Sequence, residues 1–502
     1  MKRSIALSLA GSAVLATTAV GAPAAAAAGP VFGPCPQDVT AVPGMQCATL
    51  DVPLDHDEPA GEKLQLTVSK LPARNPAARR GSLLVNPGGP GGPGITFAGG
   101  LARSLPGEVL DSYDLIGFDT RNTAHSTPIS CVDPASFWKT PLPDPDSPQT
   151  RDRNWQRAAE YADGCRARAG KYLPHLTTDS NVRDMDLIRQ ALGEERISFL
   201  GYSYGTYLGA VYGERFPRHV DRMVLDSSVN PDTSQVWYGN NLAQDVAAQE
   251  RLGKYFDWIA RYDAVFHLGA DRAAVQSAWQ AVQDELRARP HGALGPSEFI
   301  ATTFDALYSE HDWVDFAHAL GAFRNLGDDG KLVAKVKTKG AAEENSNAIY
   351  TAVECADAPW PTRRSTWERD SASIAETHPF AAWYNSWTVA PCASWHSPRQ
   401  RPVHITGEGL PPVLMFNSVD DVATPYEGAQ QMHKALPSSV LVTEENAGKH
   451  GVFALAGNTE ADRIGIDYLV RGAVPAQDVT VAGHALPDPA NPQPTPKTVR
   501  LR

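Results

Sequence analysis

The stretch that decides the fold is residues 196–206, Arg-Ile-Ser-Phe-Leu-Gly-Tyr-Ser-Tyr-Gly-Thr. It opens on a short apolar run typical of a buried strand. It continues into Gly201-Tyr202-Ser203-Tyr204-Gly205, which matches the pattern G-x-S-x-G. In that pattern a serine occupies a sharp turn between a strand and a helix, and the glycines relieve crowding around it. The pattern is a weak signal by itself, so its meaning depends on what surrounds it.

The surrounding sequence alternates strand and helix signals. Apolar residues at helical spacing predict a helix over 180–192, directly before the decisive stretch. Short apolar runs predict strands at 64–70, 82–85, 113–119, 196–200, 220–225, 412–416 and 439–443. Strands separated by helices form mostly parallel sheets with crossover connections, so we expect an α/β fold.

The strand signals stop after residue 228 and resume near 412. The intervening chain is rich in Trp, Ala and charged residues with helical patterns, so we predict a helical insertion into the sheet domain. The predicted organisation is a signal peptide, two parts of a hydrolase core around a helical cap, and a Pro-rich tail, over residues 1–28, 29–229, 230–406, 407–475 and 476–502.

The serine needs a base and a carboxylate, because a hydroxyl is a poor nucleophile at neutral pH. In this architecture the partners follow in the order Ser, Asp, His. Asp420 and Asp421 come just after the strand predicted at 412–416, and His450 follows the strand predicted at 439–443. We therefore predict a triad of Ser203 and His450 with one of the two aspartates.

An oxyanion intermediate also needs backbone N–H donors. Tyr204, directly after the serine, can supply one of them. The second is expected from the loop 86–94, Asn-Pro-Gly-Gly-Pro-Gly-Gly-Pro-Gly, where we favour Gly89 over Gly88. The competing use of a glycine-rich loop is phosphate binding, but the chain lacks both G-x-x-x-x-G-K-[ST] and G-x-G-x-x-G leading into a helix.

The amino terminus predicts export. Lys2 and Arg3 precede an apolar, small-residue segment, and an Ala-rich run offers cleavage near Ala28. The segment is too diluted with small residues for a membrane anchor, so we expect a secreted, extracellular protein that is free of the membrane after cleavage.

Six cysteines fit an oxidising compartment. Their order along the chain falls into three near pairs, which predicts the disulfides Cys35–Cys47, Cys131–Cys165 and Cys355–Cys392. A zinc site is the competing interpretation, but there is no C-x-x-C pair. We expect neither a metal nor a cofactor.

The charge balance argues against nucleic acid as a partner. Across 502 residues, 45 Lys and Arg stand against 57 Asp and Glu, a formal net charge of −12. A net-acidic chain without basic runs is poorly suited to binding phosphate backbones.

At these motifs the sequence resembles the secreted tripeptidyl aminopeptidases of actinomycetes, which are α/β-hydrolase serine peptidases related to prolyl iminopeptidase. The matching stretches lie over most of the chain outside the insertion: 46–59, 86–94, 113–131, 201–206, 421–428 and 450–451. The resemblance implies Ser203 as nucleophile, Asp421 as the acid, with Asp420 as fallback, and His450 as base. It also implies that 230–406 caps the active site.

An exopeptidase must hold the free α-amino group of its substrate, and a carboxylate in the cap would do this. Glu354 and Asp357 are the candidates. One departure from the family concerns residues 118–128, where relatives commonly read F-D-P-R-G-x-G-x-S-T-P and this chain lacks the glycines. We expect that loop near the rim of the active site.

The leading hypothesis is a secreted serine exopeptidase that releases short peptides, with tripeptides expected, from peptide substrates with a free N-terminus. The alternative is a secreted carboxylesterase with the same triad, since this fold hosts many chemistries. A non-catalytic binding protein is the third hypothesis, and the intact order of the triad argues against it.

Overall fold

A computed structural model of the chain describes residues 29–39, 41–491 and 501. The predicted signal peptide, 1–28, lies outside the described residues, as does most of the chain beyond 491. Among the described helices, none has the length and apolar character needed to cross a lipid bilayer.

Nine strands in the described residues form one sheet, in the order β1-β2-β4-β3-β5-β6-β7-β8-β9. The β1–β2 and β2–β4 pairs are antiparallel and every other pair is parallel. This confirms the predicted α/β fold with a mostly parallel sheet. The strands are β1 (Gln46–Pro53), β2 (Lys63–Leu71), β3 (Gly81–Asn86), β4 (Tyr113–Phe118), β5 (Ile197–Tyr202), β6 (Val220–Asp226), β7 (Val413–Ser418), β8 (Ser439–Glu445) and β9 (Val479–Ala482).

The central strands are apolar because both faces of the sheet are covered. In β5, Phe199 packs into the core on one face and Leu200 into the core on the other. In β7, Met415 and Leu414 divide in the same way. A strand buried on two sides reads as a continuous apolar run, which is the signal that predicted these strands.

Helices cover the two faces. Side chains of α5, α6 and α16 pack into one core, and those of α1 and α17 pack into the other. The helices are α1 (Gly94–Leu101), α2 (Gly107–Ser112), α3 (Pro134–Phe137), α4 (Arg151–Ala169), α5 (Thr178–Ala191), α6 (Tyr204–Arg215), α7 (Tyr238–Arg261), α8 (Asp263–Phe266), α9 (Arg272–Ala288), α10 (Pro296–Leu307), α11 (Trp313–Leu326), α12 (Gly330–Val333), α13 (Ala341–Asp357), α14 (Arg364–Ala375), α15 (Ala382–Val389), α16 (Tyr426–Ala435) and α17 (Thr459–Ile466).

Helices α7 to α15 lie between β6 and β7, which are neighbours in the sheet. Several of them share a core of their own that includes Leu252, Trp279 and Leu320. Helix α13 instead buries Ile349 and Val353 in a core that also contains sheet residues. The division of the chain into core and cap at residues 230 and 406 stays a prediction.

The predicted tail, 476–502, begins too early. Val479–Ala482 is strand β9, which pairs in parallel with β8 at the edge of the sheet, and Leu501 is buried in a core beside the sheet. The sequence signal was faint because β9 is four residues long and largely exposed on an edge.

The three predicted disulfides are confirmed: Cys35–Cys47, Cys131–Cys165 and Cys355–Cys392. Cysteines close together along the chain pair here because each bridge joins a loop or helix to its near neighbour in the fold. The third ties α13 to the segment after α15. Such bridges are consistent with a secreted protein.

We predict that the double variant Cys355→Ser/Cys392→Ser loses about 2–5 kcal/mol of unfolding free energy, because the bridge restricts the unfolded chain. Denaturant titration measures this. The matched control is Cys35→Ser/Cys47→Ser: that bridge spans 12 residues rather than 37, and chain entropy makes it about 1 kcal/mol less stabilising. An unchanged denaturation midpoint in the first variant would contradict the prediction.

Candidate active site

Ser203 sits on a strained turn between β5 and α6, as the sequence predicts. Its φ is +57° and its ψ −128°, a region that residues with a side chain rarely adopt. The flanking glycines are required by space: a Cβ on Gly201 would lie 2.3 Å from the Gly205 carbonyl oxygen. The turn is tied to the next strand, since the Ser203 N–H donates to the Asp226 carbonyl at 3.1 Å.

His450 and Asp421 form a buried pair beyond the ends of β8 and β7. His450 Nδ1 lies 2.8 Å from Asp421 Oδ2 and 3.0 Å from Oδ1, and both side chains are at most 2% exposed. The carboxylate also accepts the N–H groups of Ala423 and Thr424 at 2.8 and 3.0 Å. These donors fix its orientation, and the contact through Nδ1 leaves the opposite ring nitrogen, Nε2, for chemistry.

Asp420, the fallback acid, is occupied elsewhere. Its carboxylate pairs with Lys254 at 2.5 Å and lies 4.0 Å from Arg251. The structure therefore brings Asp421 to the histidine and directs its neighbour toward α7.

The glycine-rich loop packs directly against the serine turn. A Cβ on Gly88, whose φ is +90°, would lie 2.6 Å from the Tyr202 carbonyl oxygen and 2.8 Å from Ser203 Cβ. The Gly88 N–H donates to Asn86 Oδ1 at 2.9 Å, whereas the Gly89 N–H has no hydrogen bond to any described residue. Tyr204 is the first residue of α6, so its N–H is among those that a helix leaves unpaired. Both predicted oxyanion donors border the cavity described next.

A cavity of about 790 Å³ lies over Ser203, walled by the helices inserted between β6 and β7 and by residues of the segment 137–161. This volume is in the range of sites that enclose small ligands. Among the described residues, no group of three or more His, Cys, Asp or Glu side chains is arranged to hold a metal.

The two predicted amine-binding residues differ in position. Glu354 lines the cavity and is 4% exposed, and its carboxylate accepts Asn241 Nδ2 at 3.3 Å. Asp357 does not line the cavity. It accepts the N–H and hydroxyl of Thr178 at 2.8 and 2.6 Å, so its carboxylate is bound to the first residue of α5. The prediction of amine binding by Asp357 is therefore wrong.

The loop 118–128 also lies away from the cavity, since none of its residues lines it. Arg121 forms a buried ion pair with Asp184 of α5 at 2.8 Å, and Asn345 of α13 donates to the Asn122 carbonyl at 2.8 Å. The expectation that this loop borders the active site is wrong, because these contacts hold it against α5 and α13.

Comparison with known proteins places this site in a family. A family model described as TAP-like protein matches residues 378–481. The chain is 43% identical to the tripeptidyl aminopeptidase of Streptomyces lividans, over 94% of this chain and 90% of that protein. It is 30% identical to the serine protease Hip1 of Mycobacterium tuberculosis, over 86% of each.

The chain belongs to the tripeptidyl aminopeptidase family. It is therefore a serine hydrolase, and its relatives make it a serine peptidase. It is also 31% identical to carboxylesterase B of Mycobacterium tuberculosis, over 89% of this chain and 88% of that protein. Among solved structures, esterase E22 is 13% identical with a TM-score of 0.40, over 85% of this chain and 100% of that chain.

Asp226, at the end of β6, is a residue of this tripeptidyl aminopeptidase site that the sequence analysis did not identify. Its buried carboxylate accepts the N–H groups of Val452 and Phe453 at 3.0 and 2.7 Å, just after His450. Its carbonyl holds the Ser203 N–H. Burial raises the pKa of this carboxyl to about 8 against the opposing effect of those donors. An acidic residue ending a predicted central strand was the available signal.

The loop that carries His450, residues 446–453, also contacts the segment after α10, on the side away from Asp226. The His450 N–H donates to the Tyr308 carbonyl at 2.9 Å, and the Tyr308 ring stands edge-on to the imidazole at 5.3 Å. The Gly448 N–H donates to Glu310 Oε1 at 2.8 Å. The loop is thus fixed between the sheet and the inserted helices.

We predict that Asp226→Asn lowers the serine hydrolase activity because an amide group would face two backbone N–H donors and displace the histidine loop. The expected loss of unfolding free energy is about 1–3 kcal/mol, with kcat on a small ester falling more than KM rises. Asp221→Asn, on the same strand but half-buried, is the control and should change neither. Equal kinetics in the two variants would contradict a positioning role for Asp226.

Proposed function

We propose that the protein is a secreted exopeptidase that releases short peptides, with tripeptides as the expected length, from the free N-terminus of peptide substrates. The observation that carries the proposal is a buried His–Asp pair on the edge of the sheet where Ser203 also lies, under a cavity that contains a buried carboxylate, Glu354. Family membership supports the serine chemistry.

In the proposed mechanism, Ser203 Oγ attacks the scissile carbonyl as its proton passes to His450 Nε2. Asp421 holds the ring in the required tautomer and stabilises the imidazolium. The N–H groups of Gly89 and Tyr204 stabilise the oxyanion. His450 then protonates the leaving amine, the C–N bond breaks, and an acyl-enzyme remains on Ser203. Water, deprotonated by His450, hydrolyses that ester and regenerates the hydroxyl.

Exopeptidase selectivity is assigned to Glu354. This buried carboxylate has no Lys, Arg or His within 4.0 Å among the residues that the structure describes, and Asn241 and Tyr350 are its polar contacts. An α-ammonium group placed there would supply the missing positive charge. Glu354 would then determine how many residues are released, because it sets the distance between the bound α-amino group and Ser203.

The proposed organisation places this chemistry outside the cell. Residues 1–28 are removed on export, 29–229 and the chain from 407 through β9 form the hydrolase core, and 230–406 form the cap that closes the cleft. Three disulfides support an oxidising compartment. The steps above need no cofactor.

The second candidate function is a carboxylesterase, favoured by the 31% identity to carboxylesterase B. The same triad and oxyanion donors would cleave a small ester. The two functions differ in one structural requirement, since an esterase has no use for a carboxylate that pairs with an ammonium group.

We predict that Asp421→Asn lowers kcat by about 10⁴-fold, because the histidine would lose its orienting acceptor. The matched control is Asp420→Asn, one residue away, whose carboxylate pairs with Lys254 rather than with the histidine. It should retain kcat within about threefold, because the orienting contact between Asp421 and His450 stays intact. Steady-state kinetics on an ester and a peptide measure both. Comparable losses in the two variants would reject Asp421 as the acid.

We predict that free-amine peptides are cleaved in preference to their N-acetylated forms, and that Glu354→Gln reduces this preference by about 10- to 100-fold, the worth of a charge-assisted hydrogen bond. Mass spectrometry of products identifies the length released. Acetylated and free substrates turned over equally by the wild type would leave the esterase function standing.

The pH dependence gives the control for this test. Burial raises the pKa of Glu354 to about 8, with Asp357 adding to the effect. The ratio of kcat/KM for free over acetylated substrate should therefore rise from pH 6 to 8, as Glu354 ionises. It should decline above pH 8, where the substrate amine loses its proton. The contribution of the catalytic histidine is the same for both substrates and cancels in this ratio. Glu354→Gln should abolish the rise of the ratio between pH 6 and 8.

A further inference from the structure

Two cations, Lys339 and Arg157, line the cavity that contains Ser203. Lys339 precedes α13, the helix that carries Glu354, and Arg157 lies on α4. They are close enough that the charge of Arg157 disfavours the charged form of Lys339. The mechanism above gives neither residue a task.

Neither cation has a carboxylate within 4.0 Å in the described part of the chain. Lys339 Nζ donates to Asn347 Oδ1 at 2.7 Å and lies 3.7 Å from the centre of the Trp138 ring. Arg157 donates to the Phe137 carbonyl at 2.8 Å, and its guanidinium lies 4.4 Å from the centre of the Phe137 ring. Neutral acceptors and aromatic faces hold both charges in place.

Two acids favour the charged form of Lys339 from a distance: Glu344, and Glu343, which also lines the cavity. Glu343 accepts the Gly340 N–H at 2.9 Å, and Glu344 is bound by other donors. Glu344 accepts the N–H groups of Cys131 and Val132 at 3.0 and 3.3 Å, the indole N–H of Trp138 at 2.5 Å and the hydroxyl of Tyr161 at 3.1 Å. A carboxylate with four donors has no free acceptor to turn toward Lys339. By contrast, Lys337, also on the cavity wall, is paired with Asp305 at 2.5 Å.

Two repelling cations in an enclosed space are unfavourable unless an anion joins them. Both residues are half-buried, and their partial removal from water lowers the pKa of Lys339 to about 8 and lowers the pKa of Arg157. Such groups in a substrate cavity are candidates for ligand contacts.

We propose that Lys339 and Arg157 form an anion subsite of the substrate cavity that binds a carboxylate of the peptide substrate. This inference rests on the proposed peptidase function and names a substrate class for it. The carboxylate has two sources in a peptide: an acidic side chain, or the C-terminal carboxylate of the leaving part. Either would place the negative group of the substrate here and its ammonium group at Glu354.

The test uses pairs of free-amine peptides that differ in one charge: Glu against Gln at each position, and a C-terminal acid against its amide. We expect kcat/KM of the wild type to favour the acid in at least one pair by about tenfold or more. A preference at one Glu position identifies a side chain, and a preference for the C-terminal acid identifies the leaving peptide. Ratios below about twofold in every pair would overturn the proposal.

The variants Lys339→Met and Arg157→Met should each reduce that acid preference toward unity. Arg153→Met is the matched control, because Arg153 lies one turn away on α4, is exposed and does not line the cavity, and it should keep the wild-type ratio. Lys339→Gln serves as a second variant if Lys339→Met fails to fold, as judged by the thermal midpoint. A wild-type preference that survives in the folded variants would reject the subsite.

A measurement on the unmodified protein separates this proposal from the peptidase function. Peptides that occupy the cavity slow the labelling of Ser203 by a fluorophosphonate without any need for turnover. If no peptide is cleaved, the exopeptidase proposal fails, and the subsite is judged by protection alone. Stronger protection by a Glu peptide than by its Gln counterpart supports it, and equal protection by every acidic and neutral pair overturns it.

Discussion

The shared edge of four adjacent parallel strands is the constraint on which the site depends. Parallel strands end at the same side of a sheet, so residues that follow β5, β6, β7 and β8 meet there although they are far apart in sequence. Ser203, Asp226, Asp421 and His450 occupy these four ends. Asp226 connects the outer members: its carbonyl holds the serine turn and its carboxylate holds the loop after the histidine. Without that connection, the serine turn after β5 and the histidine loop after β8 would each have to adopt their position independently, because these two strands are not neighbours in the sheet.

The sequence predicted what rests on local chemistry. Strands β5 to β8 are apolar on both faces, and G-x-S-x-G, the order Ser-Asp-His and the spacing of the cysteines each have a direct physical cause. Contacts between distant segments of the chain were harder to predict from the sequence. Asp357 and Glu354 look alike in sequence, yet Asp357 is consumed by the start of α5. The cap of that helix is Thr177, whose side chain accepts from the Ser180 N–H, so the helix begins two residues before the predicted start at 180. Lys339 and Arg157 lie 182 positions apart, so no local pattern pairs them.

The charges of the cavity are arranged in a way that a hydrophobic pocket would not need. Glu354 lacks a cation and Lys339 lacks an anion within 4.0 Å among the described residues, yet both sit in the wall of one enclosed space. Keeping either group charged in the cavity costs free energy, which is why the pKa of Glu354 is raised and that of Lys339 is lowered. A ligand group of opposite charge would offset that cost. The fold keeps the two apart, since Lys339 precedes the first turn of α13 and Glu354 lies in its last turn. A peptide with a free N-terminus and a carboxylate carries both complementary charges, whereas a small neutral ester carries neither.

The inserted helices also bear on the geometry of the histidine. Glu310 is fully buried, pairs with Arg251 and lies 3.3 Å from His484, which in turn contacts Glu444 of β8 at 3.0 Å. Burial alone lowers the pKa of His484, but the two carboxylates outweigh it and raise the pKa to about 10, so two cations face two anions at neutral pH. Buried pairs of this kind add little net stability, because desolvation offsets their attraction. What they do fix is position: the same Glu310 accepts the Gly448 N–H two residues before His450. Glu310 thereby links Arg251 of α7, His484 after β9 and the loop that carries His450. A shift of the inserted helices would therefore displace the imidazole of His450.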